Sequence, residues 1–190
     1  MVTYDEGLFR TINQGPEALT PIMVWLSTAF DTRAVLFTFI ALVLGLIAIP
    51  RTRRAALESL IAFPIANGIT DFFKHNLPEP RPFQVLDDAI LRVGWSDSMG
   101  TASAHSANMA AVATVMIMRL RWGGSPWLIL ALGVGYSRIF TGAHFPHQVL
   151  LGWMVGSLAG YLVVSVSNLI DARRRKTPPI SPEITATDQG

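Results

Sequence analysis

Six residues stand out in this otherwise apolar chain: Lys74, Arg81, Ser103, His105, Arg138 and His144. They comprise three cations, two imidazoles and a hydroxyl. Three fixed positive charges brought near one point need a polyanion between them. Phosphate suits such a place, because Arg binds it bidentately and Lys binds it as a point charge. Ser103 stands at or just before an expected helix start, where free N–H groups and the helix dipole also favour an anion. Two histidines beside a phosphate point to chemistry, since imidazole serves near neutral pH as a nucleophile or a general acid/base. A metal centre fits poorly. Two His with Arg and Lys offer few ligands and much positive charge, and the nearby acids lack the spacing of a metal motif.

The elements that must position these residues read as membrane spans. Only 15% of the chain is charged, where a soluble domain carries roughly 25%. The charges are clumped and leave long apolar runs between them. A spanning helix needs about 20 apolar residues, with roughly 17 as a lower limit. On that basis spans fall near 34–50, 55–74, 104–121, 125–142 and 147–170. The chain is therefore expected to be an all-α, multi-pass transmembrane bundle of about five spans. Leu19 to Phe30 is apolar but short and is expected to lie at the interface; extended through Pro16 it would make a sixth span. Residues 1–17 are mixed and broken at Gly15-Pro16, with no basic start and apolar core of a cleavable signal. Cysteine is absent, which removes disulfides and thiolate chemistry.

Nine of the fifteen Lys and Arg fall in alternate connections: after Pro50, around Trp122, and after Asp171. By the positive-inside rule those connections are cytoplasmic. Residues 75–103 and 141–146 then face the exterior or periplasm, and the C-terminus is cytoplasmic. Three polar groups close to span ends share that outward side: Asn67 with Asp71 and Lys74, Ser103 with His105 and Asn108, and Ser137 with Arg138. Ionisable side chains at such depth face a protein interior or a water-filled cavity. Gly152, Gly156 and Gly160 in the last span have the spacing that lets helix backbones approach closely.

At these residues the sequence resembles the type-2 phosphatidic-acid phosphatase superfamily. Its first motif is Lys, six residues, Arg-Pro, matched by Lys74 and Arg81-Pro82. Its second, Pro-Ser-Gly-His, reads Ala102-Ser103-Ala104-His105. Its third, Ser-Arg, five residues, His, three residues, Asp, is matched by Ser137-Arg138 and His144 but ends on Gln148. The stretch from Ala143 to Val149 looks like the glucose-6-phosphatase branch, which also has Gln there. The resemblance covers roughly residues 55–165 and implies a membrane phosphatase domain over 1–176; the composition of 177–190, with Pro178, Pro179 and Pro182, is that of a disordered tail, on the cytoplasmic side by the charge rule.

The resemblance also implies roles. His144 is the nucleophile and forms a phosphohistidine; His105 protonates the leaving alkoxide and then activates water. Lys74, Arg81, Arg138, Ser103 and the Ala104 N–H hold the phosphoryl oxygens, and Gln148 orients His144. No metal or other cofactor enters this scheme. The expected partners are membrane lipids and a phosphorylated lipid or small phosphate ester as substrate, with no nucleic acid. Phe83, Val85, Leu86, Ile90, Leu91 and Trp95 in the covering loop are placed to dip into the interface beside a lipid. Vanadate-dependent haloperoxidases share the motifs but are soluble. A non-catalytic protein that binds or transports a phosphorylated ligand is the alternative, supported by Ala102, Ala104 and Gln148.

Overall fold

A computed structural model of the chain describes residues 4–29 and 33–176; the expected tail at 177–190 lies outside the described residues. Within them every regular element is helical. In chain order these are α1 (Tyr4–Asn13), α2 (Thr20–Thr28), α3 (Arg33–Ala48), α4 (Pro50–Asn76), the short α5 (Pro82–Val85), α6 (Ala104–Leu120), α7 (Ser125–Phe140) and α8 (Pro146–Lys176). Single 3-10 turns occupy Glu17–Leu19 and Arg121–Gly124. Pro50 opens α4 and Pro146 opens α8, where the missing N–H has no intrahelical partner to lose. Ser103 caps α6, its side chain accepting from the Ser106 N–H.

The five long helices coincide in place with the expected spans. Among the described residues one helix, α8, is long and apolar enough to cross a membrane by length and composition. Helices α3, α6 and α7 run 16, 17 and 16 residues, under the usual length of about 20. Helix α2 has only 9 residues and packs against α7. Helix α1 lies in the segment read as mixed, and the expected break at Gly15-Pro16 follows it. Its buried face, Phe9 with Ile12 beside it, meets Ile139, Phe145 and Val149, residues distant in sequence.

Helix α6 is the centre of the bundle and packs on α4, α7 and α8, while α3 packs on α4. The interior is built of small residues. Ala62, Ala66, Ala107, Ala111 and Ala159 are fully buried where α4, α6 and α8 meet. The outer faces carry the large side chains: Ile129, Met154 and Leu169 are 70%, 62% and 63% exposed. A water-soluble domain sorts its residues the other way. This pattern suits a bundle bathed in lipid, where close backbone contact holds helices together. At one end of the bundle Glu58, itself buried, accepts from Arg119 at 2.6 and 2.7 Å and from Arg54 at 2.9 Å. Arg54 continues to Asp171 at 2.6 Å, so that end of α4, α6 and α8 is tied by charge. The polar groups around Lys74, His105 and Arg138 lie at the opposite end.

The glycines of α8 set the α6–α8 distance. A methyl group on Gly152 would stand 2.6 Å from the Ser103 carbonyl oxygen, and one on Gly160 2.7 Å from that of Ala111. One on Gly156 would collide with the Ala107 carbonyl. Gly156→Ala should therefore destabilise the bundle by about 1–3 kcal/mol, the usual penalty of overpacking. Thermal unfolding in detergent checks this, with Gly68→Ala as the comparison because a methyl there meets nothing within 4 Å. Equal melting of the two variants would show that α6 and α8 are not in this contact.

Candidate active site

Separate segments deliver the site to one end of the bundle. The last turn of α4 carries Lys74, and the following loop carries Arg81 at the start of α5. The first turn of α6 carries Ala104 and His105, and the end of α7 carries Arg138. His144 stands in the turn between α7 and α8, where Gly142 adopts φ +80, a conformation that glycine takes without strain. Lys74, Arg81, Ala104, His105, Arg138 and His144 together line a cavity of about 410 Å³.

The ring of His144 is 2% exposed, and its surroundings choose its tautomer. Nδ1 lies 3.1 Å from the Gly100 carbonyl oxygen and 3.2 Å from Gln148 Oε1. A carbonyl can only accept, so Nδ1 carries the proton and Nε2 keeps the lone pair. Gln148 is oriented in turn. Its Oε1 accepts from the Phe145 N–H at 3.2 Å, and its Nε2 donates to the Pro80 carbonyl at 2.9 Å. Gly100 must be small for this: a methyl there would stand 2.6 Å from Gln148 Oε1.

Arg81 is 6% exposed and held on one side by Ser98. Its Nε donates to the Ser98 carbonyl and its Nη2 to Ser98 Oγ, both at 2.7 Å. Its Nη1 is shared between the Ala143 carbonyl at 3.3 Å and His144 Nε2 at 3.4 Å. Burial lowers the pKa of this guanidinium from its ordinary value. Lys74 is steadied by Asp71 at 3.3 Å, which also accepts from Asn67 at 3.0 Å. Arg138 donates to the carbonyl and hydroxyl of Ser27 at 3.1 and 2.6 Å. Phe83 and Trp95 form part of the wall and meet edge to face, ring centres 4.7 Å apart.

Some residues are placed differently from expectation. Ser103 is fully buried and does not line the cavity; its hydroxyl accepts from the Ser106 N–H and from Ser106 Oγ at 2.9 Å. The hydroxyl oxygen thereby caps α6. Leu86 packs on the cluster around Phe9 and Val149. His147, which carried no expected role in the site, bridges Asp5 and Glu79, at 2.5 and 2.9 Å. Ser27, Thr28, Ser98 and Gly100 were not foreseen. Serines, a threonine and a glycine in polar or boundary segments carry no distinguishing sequence signal.

Residues 55–171 match the model of the PAP2 superfamily. This chain belongs to that superfamily. The undecaprenyl-diphosphatase of Sulfolobus acidocaldarius is 28% identical to it over 169 residues, 88% of this chain and 80% of the relative. The crystal structure of Aquifex aeolicus LpxE superposes with a TM-score of 0.75 at 22% identity, covering 86% of this chain and 96% of that one. That of a transmembrane PAP2 type phosphatidylglycerolphosphate phosphatase from Bacillus subtilis gives 0.69 at 23%, covering 87% and 85%. At such identities the superpositions speak for the fold. The PAP2 match begins within α4, so α1, α2 and α3 precede it, although Thr28 of α2 lines the cavity.

Burial foremost, then the charges of Arg138 and Arg81, disfavour the protonated ring of His144 and hold its pKa well below the ordinary imidazole value. The ring of the ligand-free PAP2 protein should accordingly stay neutral as the pH falls from 8 to 6. The Cε1 resonance of His144, assigned by comparison with His144→Gln, should not move across that range. A titration midpoint near 6.5 would contradict the buried, cation-flanked environment.

Proposed function

We propose that this PAP2 phosphatase hydrolyses a phosphate monoester or pyrophosphate of a lipid, through a phosphohistidine formed on His144. One observation carries the reading: the Gly100 carbonyl obliges Nδ1 of His144 to bear the proton, which leaves a lone pair on Nε2 beside three cations of the cavity wall. Phosphoryl transfer needs positioning and charge stabilisation above all, and the cavity offers both.

In the first step Nε2 attacks phosphorus and the bond from phosphorus to the leaving oxygen breaks. His105, which lines the same cavity, gives that oxygen its proton. The His144 ring gains positive charge as the N–P bond forms, and the two acceptors at Nδ1 stabilise it. Arg81 Nη1 leaves the lone pair and turns its N–H to a phosphoryl oxygen, joined by Lys74, Arg138 and the Ala104 N–H. In the second step His105 takes a proton from water, water attacks phosphorus, the N–P bond breaks, and phosphate departs. The fixed charges are side chains, so the scheme requires no metal. A lipid substrate is supported by the large apolar side chains around the bundle and by the names of the relatives. Five spans in the cell membrane are supported by the coincidence of the long helices with the five apolar runs. A site at the outer face is supported by the basic connections gathered at the other end.

Purified protein in detergent with excess chelator should release phosphate from a lipid phosphate and from nitrophenyl phosphate. His144→Ala should abolish both turnover and the acid-labile phosphoprotein trapped by rapid quenching. His105→Ala should lose about 10²–10⁴ in rate on a lipid phosphate. On nitrophenyl phosphate, whose leaving group needs little protonation, its first step should be partly rescued and the phosphoprotein should accumulate. Near-normal turnover by His144→Ala, or a trapped intermediate in that variant, would overturn the assignment.

The face is tested separately. A cysteine placed at Asp88 should react with an impermeant maleimide in intact spheroplasts, and one placed at Arg174 should react only after lysis. The reverse pattern would invert the topology.

A further inference from the structure

Arg138 is held from outside the three motifs. Its Nη1 donates to Ser27 Oγ at 2.6 Å and to the Ser27 carbonyl at 3.1 Å. Ser27 is 1% exposed, so no water competes for these acceptors. Ser27 Oγ also lies 3.3 Å from Thr141 Oγ1, and Thr141 Oγ1 donates to the Ser137 carbonyl at 2.8 Å. Only one sense of donation satisfies all three contacts. The Arg138 N–H gives to Ser27 Oγ, the Ser27 O–H gives to Thr141 Oγ1, and the Thr141 O–H gives to the carbonyl next to Arg138 in the chain. The result is a closed polar circuit. It joins α2 to the end of α7 and fixes the guanidinium plane. Thr28, the next residue, lines the cavity itself.

We propose that Ser27 is a positioning residue for Arg138, and that α2, which precedes the family-matched residues, completes the active site instead of serving only as an anchor. The proposal rests on the reading of Arg138 as a phosphate-binding cation. A buried guanidinium with two acceptors on one nitrogen has little rotational freedom, so it meets a phosphoryl oxygen without first being ordered. Removing the hydroxyl leaves the carbonyl contact but breaks the circuit. The charge stays in the cavity; its direction is lost.

The test compares wild type, Ser27→Ala, Arg138→Ala and the double variant, as purified full-length protein. Turnover of nitrophenyl phosphate and inhibition by vanadate are measured on each, with thermal unfolding in detergent as the check on folding. Ser27→Ala should lower kcat/KM at least tenfold and raise the vanadate inhibition constant to a similar degree. In the Arg138→Ala background the same change should alter either quantity less than twofold. A purely structural role for Ser27 would give equal losses in both backgrounds, and that result overturns the proposal. Ser27→Cys leaves no cavity and carries only a weak acceptor, so it guards against misfolding of the alanine variant. It should show the same loss, and wild-type kinetics in either Ser27 variant would also overturn the proposal. Wild-type turnover and vanadate affinity in Arg138→Ala would instead remove the reading of the cavity on which the proposal rests.

Discussion

Three like charges share one small cavity, and mutual repulsion is the constraint around which that end of the molecule is built. Lys74, Arg81 and Arg138 arrive from separate elements, and each is met by acceptors, for Arg81 and Arg138 from another segment and for Lys74 from its own helix. Ser98 holds Arg81, Ser27 holds Arg138 and Asp71 holds Lys74. Two of these clamps use backbone carbonyls as well as side chains, which lends partial negative charge without adding an ion. The cations are thus kept in place, so that in the proposed mechanism an entering phosphate meets groups already ordered.

Holding those clamps requires helices that do not slide. The alanine-lined contacts of α6 with α4 and α8, and the glycines of α8 against the α6 backbone, leave little slack between helix axes. The paired ends follow from this. At one, Glu58 gathers Arg54 and Arg119; at the other, α1 is fastened over the turn between α7 and α8. Asn13 Nδ2 donates to the carbonyls of Ile90 and Phe140, and Arg92 donates to those of Asn13 and Phe140. Arg10 pairs with Asp88 at 2.7 Å. The amino-terminal helix is in this way a strap across the loops that carry the site.

The long helices were legible because their punctuation is unambiguous. Pro50, Gly123-Gly124 and Pro146 stand where helices begin or turn, and the apolar runs between them have few other uses. Lys74, Arg81, His105, Arg138 and His144 were legible because charge and imidazole are scarce in such a chain. Ser103 was ambiguous because a serine at a helix start can cap the helix, meet a ligand, or do both. Ser27, Ser98 and Gly100 could not be read. They act largely through a carbonyl, which every residue has, or through the lack of a side chain. Helix α1 was hidden for a related reason: its apolar face is narrow, and the partners that bury it are distant in sequence.

Gln148 has a consequence for the conditions under which this geometry persists. Its amide is wedged between a donor, the Phe145 N–H, and an acceptor, the Pro80 carbonyl, so turning it over would set oxygen against oxygen and N–H against N–H. The polarity of one peptide group in the loop before α5 is therefore relayed to the His144 ring. A carboxylate in that position would take up a proton in sour surroundings and lose its hold. An amide has no such equilibrium, so the relay is acid-proof.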